Sequence, residues 1–132
     1  MTLLFLGNVP RERSEALMTI SGSVPFKPFT LLVDSAACWK HNKLAWIGSS
    51  VTPSELSQLV DALETVAAAA GIHFDRRPFA PHVTLVRKAQ CAPLDLRMPK
   101  VEWCVTDYVL VQSELNSEGS RYTVIGRWPR LA

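Results

Sequence analysis

The segment from Thr52 to Gly71 constrains the fold most. Leu56, Leu59, Val60, Leu63, Val66 and Ala67 recur at intervals of three and four, the spacing that turns one stripe of a helix toward a core. Thr52 and Glu55 have the spacing of a capping box, Pro53 suits the first turn and Gly71 the stop, so a helix is predicted from Pro53 to Ala70. The run Ala67 to Ala70 offers a small-residue surface for packing against a sheet. A second helix is expected from Pro10 to about Ile20, with Gly22 just past its end.

The other apolar runs have the length of strands: Thr2 to Leu6, Phe29 to Asp34, Lys43 to Gly48, His82 to Lys88, about Glu102 to Glu114, and Arg121 to Trp128. Cys38, Trp39, Lys40, His41 and Asn42 read as the remainder of a hairpin and its turn. Asn116-Ser117-Glu118-Gly119 reads as a hairpin loop. Thr2 to Leu6 has the composition of a strand buried on both faces, yet nothing in the chain precedes it to pair with. With no linker or low-complexity tract, the pattern predicts one α+β unit with mainly antiparallel pairing.

Composition limits the function classes. A chain of 132 residues with 48% hydrophobic and 20% charged residues is sized and balanced for one globular domain, not for disorder. A net charge of +2 argues against a general polyanion binder and leaves room for a local basic pocket. Three scattered cysteines, Cys38, Cys91 and Cys104, are read as reduced, mostly structural thiols. His41, His73 and His82 do not combine with them at zinc-ligand spacing, so no metal is expected. The N-terminus lacks the pattern of a signal peptide and no apolar run reaches the ~18 residues of a membrane span, so a soluble, cytoplasmic protein with no membrane partner is expected.

Chemistry concentrates at Pro81-His82-Val83-Thr84-Leu85. Residues two apart on a strand share a face, so Val83 and Leu85 serve the core while His82 and Thr84 present an imidazole and a hydroxyl together. Imidazole moves protons near neutral pH and a hydroxyl binds phosphoryl oxygen, a pairing suited to phosphate chemistry. Arg87 and Lys88 follow, and a guanidinium grips phosphate in bidentate fashion. Spacing alone leaves a structural role open, since histidines on short strands are mostly surface or core residues and threonine is common in strands for packing. Parity also sets Arg87 on the Val83 face, from which it reaches His82's side only through a bulge, a strong twist or the strand end. His41, in a turn, and His73, past the long helix, lack a threonine two residues on and are read as surface residues.

Arg77-Pro78-Phe79-Ala80-Pro81-His82-Val83-Thr84-Leu85-Val86-Arg87 resembles the second signature of the RNA 2',3'-cyclic phosphodiesterases, the 2'-5' RNA ligase-like branch of the two-histidine phosphoesterase superfamily. Thr2-Leu3-Leu4-Phe5-Leu6-Gly7 is similar to the end of that family's first His-x-Thr-Leu signature, and echoes Thr84-Leu85-Val86 within this chain. Leu44-Ala45-Trp46-Ile47-Gly48 resembles its middle strand. Gln112 to Leu115, Arg121-Tyr122 and Arg127-Trp128-Pro129 resemble its final hairpin, so the likeness covers nearly the whole chain in order.

The resemblance implies two pseudo-symmetric α+β lobes of mainly antiparallel sheet, with helices on the outer faces and a His-x-Thr strand from each lobe in a central cleft. It makes His82 a catalytic histidine, Thr2 and Thr84 phosphate-binding hydroxyls, Arg87 a phosphate-contacting cation and Phe5 a wall of the nucleotide pocket. The implied reaction, without metal or cofactor, opens the 2',3'-cyclic phosphate at an RNA end to a 2'-phosphomonoester, its reversal giving 2'-5' ligation. Aligning Thr2 with the first signature puts that signature's histidine one residue ahead of Met1. The family's opening strand and helix, roughly 30–40 residues at ordinary element lengths, fall ahead of it too. The expectation is therefore a single domain over residues 1–132 lacking its N-terminal strand and helix, impaired in turnover and prone to aggregate through exposed edges. A non-catalytic RNA- or nucleotide-binding module is the alternative, and a purely structural domain a third reading.

Overall fold

Phe29, Leu31 and Val33 alternate inward along β1 (Phe29–Val33) and pack on Leu56 and Val60 of the long helix. The computed structural model describes residues 1–92 and 98–130. A 3-10 turn at Arg11–Arg13 leads into α1 (Ser14–Ser23). After β1 come β2 (Ser35–Trp39), β3 (Leu44–Gly48), α2 (Ser54–Ala69), β4 (His82–Arg87), β5 (Val101–Val105), β6 (Tyr108–Asn116) and β7 (Gly119–Trp128). The architecture is α+β, and every strand pair is antiparallel: β1 with β5, β2-β3-β4 as a three-stranded sheet, and the β6–β7 hairpin.

Helix α2 is the shared spine, because its apolar stripe is wide enough to serve three clusters. Leu56 and Val60 meet β1; Leu59 joins Val24, Tyr108 and Trp128; Ala67 meets Leu17, Ile72 and Phe74. Leu31 and Leu56 are the most completely enclosed side chains. The Tyr108 hydroxyl donates to the Ser21 carbonyl at 2.6 Å, tying the last hairpin to α1, and burial pushes its phenol above the usual tyrosine range.

Several expectations are corrected. Thr2 to Leu6 is not a strand: one backbone bond, from Asp75 N–H to Phe5 O at 2.9 Å, holds it, and no strand among the described residues pairs with it. Thr52 does not cap α2. Pro53 occupies that position, its carbonyl accepting from Leu56 and Ser57, while Glu55 accepts from Ser54 Oγ. Gly22 lies inside α1, where a Cβ would come within 2.6 Å of Trp128 Nε1; close packing, not helix termination, explains it. Ala67 clusters with Leu17 of α1 and with Ile72 and Phe74 after α2, Leu110 of β6 lying against the same cluster, while Ala68 and Ala69 are exposed. The run expected from about Glu102 to Glu114 divides at Thr106-Asp107, since β5 pairs back to β1 and β6 forward to β7.

Candidate active site

β4 carries the site because β3 holds it in register: Gly48 faces His82, Ile47 faces Val83 and Trp46 faces Thr84. The register then shifts, with Ala45 opposite Val86 and Leu44 opposite Arg87, so Leu85 is the extra residue of a bulge. That one unpaired residue reverses the parity of Val86 and Arg87 and brings Arg87 round to the side of His82 and Thr84. All three line a cavity of about 460 Å³, together with Thr2, Phe5, Trp39, His41, Asn42, Glu64 and Arg77. The five residues the resemblance singled out, Thr2, Phe5, His82, Thr84 and Arg87, thus share one wall system, although Thr2 and Phe5 are separated from the others by most of the chain.

His82 Nδ1 lies 2.7 Å from the Ala80 carbonyl oxygen. A carbonyl only accepts, so Nδ1 carries the proton and in the neutral ring Nε2 is left as the basic nitrogen. The Trp39 ring meets the imidazole edge-on, centroids 4.6 Å apart at 68°, and Trp46 backs both, 5.0 Å from Trp39 and 6.3 Å from His82. Backbone and indole together fix the ring's tautomer and plane.

The cations differ in what they have free. Arg77 grips both carboxylate oxygens of Asp75, Nε donating to Oδ1 at 3.1 Å and to Oδ2 at 2.8 Å and Nη2 to Oδ2 at 2.5 Å, and its guanidinium holds the Asp75 carboxyl below the usual range. Arg87 has no carboxylate partner among the described residues and is solvent-exposed, so its charge is uncommitted.

Sequence reasoning missed Trp39, His41 and Arg77 as cavity residues. The β2–β3 hairpin pairs Trp39 with Leu44 and so brings Trp39 and the following turn over β4, a placement that depends on a strand read as part of a turn. His41, read as a surface residue, is exposed and also lines the cavity, its ring 6.3 Å from Trp39. The cysteine reading is corrected as well: Cys38 and Cys91 are joined as a disulfide, and Cys104 is free and exposed. Among the described residues, no three His, Cys, Asp or Glu gather as a metal site, and no helix is long and apolar enough to cross a membrane.

Proteins similar to this chain are described as phosphoesterases. The family model for LigT like Phosphoesterase matches residues 47–122. The RNA 2',3'-cyclic phosphodiesterase of Escherichia coli K12 is 36% identical over 97% of this chain and 73% of its own length. The protein of the same description from Thermus thermophilus is 43% identical over a shorter stretch, 39% of this chain and 27% of that one. The crystal structure of apo E. coli LigT superposes with a TM-score of 0.85 at 35% identity, covering 96% of this chain and 73% of that one. The E. coli LigT complex with 3'-AMP gives 0.82 at 34%, with 96% and 74% covered. Fold and sequence together define a phosphoesterase, a hydrolase of phosphoric esters. The chain belongs to the LigT-like phosphoesterase family.

Proposed function

We propose that this protein opens 2',3'-cyclic phosphate at RNA ends to a 2'-phosphomonoester, with His82 as general base. The observation that carries this reading is the Leu85 bulge, which sets an uncommitted guanidinium beside the His82–Thr84 pair in one cavity with Thr2. The likeness to proteins described as RNA 2',3'-cyclic phosphodiesterases supports the substrate class.

His82, its Nδ1 proton held by Ala80 O, takes a proton from water at Nε2 as the water oxygen attacks phosphorus. The bond from phosphorus to the 3' oxygen breaks, and that oxygen needs a proton as it leaves. Thr2, Thr84 and Arg87 hold the non-bridging oxygens, where negative charge grows in the transition state. When the 5'-hydroxyl of a second RNA takes the place of water, its oxygen bonds to phosphorus, the same bond to the 3' oxygen breaks and that oxygen takes up the proton, giving a 2'-5' linkage, so ligation is a minor activity of the same groups.

The acid for the leaving oxygen corresponds to the histidine that the family pattern sets two residues before Thr2. A polypeptide of these 132 residues alone therefore carries one imidazole of the pair, and its turnover is expected about 10²–10⁴-fold below that of a chain extended in frame through the upstream codons. The test is hydrolysis of an RNA oligonucleotide with a 2',3'-cyclic phosphate end, the product isomers resolved. In the extended chain, His82→Ala should lower the rate about 10²–10⁴-fold while 3'-AMP binding is largely kept. An extended chain that binds the oligonucleotide end and never turns it over would make the protein a nucleotide-binding module instead.

A further inference from the structure

Next to the cleft wall, one residue before Trp39, lies a covalent feature that phosphodiester hydrolysis does not call on. Cys38 and Cys91, 53 residues apart in sequence, are bridged with their Cα atoms 5.6 Å apart, a separation ordinary for paired cysteines. Cys38 is the residue immediately before Trp39, the indole that meets His82 edge-on and also approaches His41. Cys91 follows Arg87 and the backbone bond from Ala89 N–H to Lys43 O at 2.8 Å. Because β3 runs between β2 and β4, the bridge spans the central strand and ties the edge strand carrying Trp39 to the segment leaving Arg87. β2 is otherwise hydrogen-bonded on one side only, to β3. Edge strands of this kind open locally at low cost, so what holds β2 down also holds Trp39 in place.

We propose that the Cys38–Cys91 pair is a redox-sensitive brace that fixes Trp39 in the cleft wall and thereby tunes the cleft's affinity for nucleotide. Both cysteines are half-buried, within reach of small thiols, whereas Cys104 sits on β5 in a different sheet and serves as an internal control. Oxidation proceeds by exchange with a low-molecular-weight disulfide such as oxidised glutathione. One cysteine thiolate attacks it, a mixed disulfide forms and one glutathione leaves; the second cysteine thiolate then displaces the other. Two electrons pass from the cysteine pair to glutathione, and the two cysteine protons end on the two departing thiols. In the reduced chain β2 is free to fray, Trp39 samples other positions, and ligand must order it again on binding.

The affinity part rests on the cleft being the nucleotide site proposed above, so the experiment has readouts that do not depend on it. The 132-residue chain is equilibrated in oxidised and reduced glutathione, its thiols are counted, and tryptophan emission is recorded for the parent and for Trp39→Phe. The expected result, read by intact mass after alkylation, is that Cys38 and Cys91 are bridged to each other in the oxidised chain, with Cys104 alkylated or carrying one glutathione, and that all three cysteines alkylate in the reduced one. Emission should rise on reduction as the quenching disulfide beside Trp39 is lost, and Trp39→Phe should abolish that rise. Adenosine 2',3'-cyclic monophosphate should bind roughly five- to tenfold more weakly to the reduced chain, within the usual range of coupling between sites. Cys38→Ser/Cys91→Ser should match the reduced chain in either buffer, while Cys104→Ser should respond like the parent. Cys38 and Cys91 left unbridged in oxidised glutathione, or a switch in thiols with no Trp39-dependent change in emission, overturns the brace, as does nucleotide binding at equal strength to both forms. Thiols and emission that switch while neither form binds nucleotide support the brace and count against the functional reading.

Discussion

Gly48 decides how close the backbone before His82 can come to β3. It faces His82 across the ladder, and a Cβ there would lie 2.5 Å from the Pro81 carbonyl and 3.0 Å from the Trp46 ring. The Pro81 contact is backbone, which cannot swing aside like a flexible side chain. Gly48→Ala should therefore push the Pro81-His82 peptide away and loosen the Nδ1 bond to Ala80 O that sets the imidazole's tautomer. Its overpacking cost is about 1–3 kcal/mol in a urea titration. With His82 as the base proposed above, hydrolysis should fall at least about tenfold, because small misplacements of a reacting group are expensive. A variant that folds with parent-like activity would show that His82 is placed by something other than this close approach. Sequence reasoning reached His82 and Thr84 from strand parity, but the need for glycine at position 48 lies in a contact between two strands separated by a whole helix.

The bulge at Leu85 shows what an element adds to a motif. Alternation along His82 to Arg87 is readable from sequence and sets Arg87 on the wrong face; the register shift opposite Ala45 and Trp46 corrects it, and nothing in the β4 residues alone specifies that shift. The loops that enter the elements depend on charge in a way that can be titrated. Asp34, after β1, accepts hydrogen bonds from Ser50 Oγ at 2.5 Å and Ser50 N–H at 2.8 Å, which hold its carboxyl below the ordinary aspartate value of 3.8. Asp75 is lowered in the same direction by Arg77, and holds the segment running into β4. A group depressed in the folded state contributes stability above its unfolded value and loses it as pH falls through the folded one. Stability from these two carboxylates should thus be steady from neutral pH down to about pH 4 and decline below it. Urea midpoints measured across that range should fall less steeply on the acid side for Asp34→Asn than for the parent. Parallel acid slopes would remove Asp34 from the account.

At the scale of the molecule, the helix stripe from Leu56 to Ala67 was the most legible feature, because its period is local and its three packing partners all follow from one buried face. Sheet pairing was not: β1 finds β5 some seventy residues away, and a short apolar run does not name its partner. Thr2 to Leu6 was misread for the same reason, since apolar composition suits a strand but a ladder needs a neighbour. The sheets that do form are small, two of them two-stranded, and each leaves outer edges without a strand partner among the described residues. Large apolar side chains stand exposed beside those edges: Leu115 at 85%, Tyr122 at 67% and Val124 at 51% on the hairpin, with Val101 at 48% on β5. Unpaired backbone next to apolar surface is the combination through which strands find other copies. A polypeptide of these 132 residues should therefore self-associate at tens of micromolar, a concentration at which exposed edges and apolar surface typically drive association. Val111 and Val124 face each other across β6 and β7, so Val111→Lys with Val124→Glu adds an opposite-charge pair at one register position and leaves the net charge unchanged. Sedimentation velocity should show the parent growing with concentration and this variant doing so markedly less, their far-ultraviolet spectra alike. A parent that sediments as one monomeric species throughout the range would mean that the hairpin's twist and flanking charges protect these edges without any covering strand.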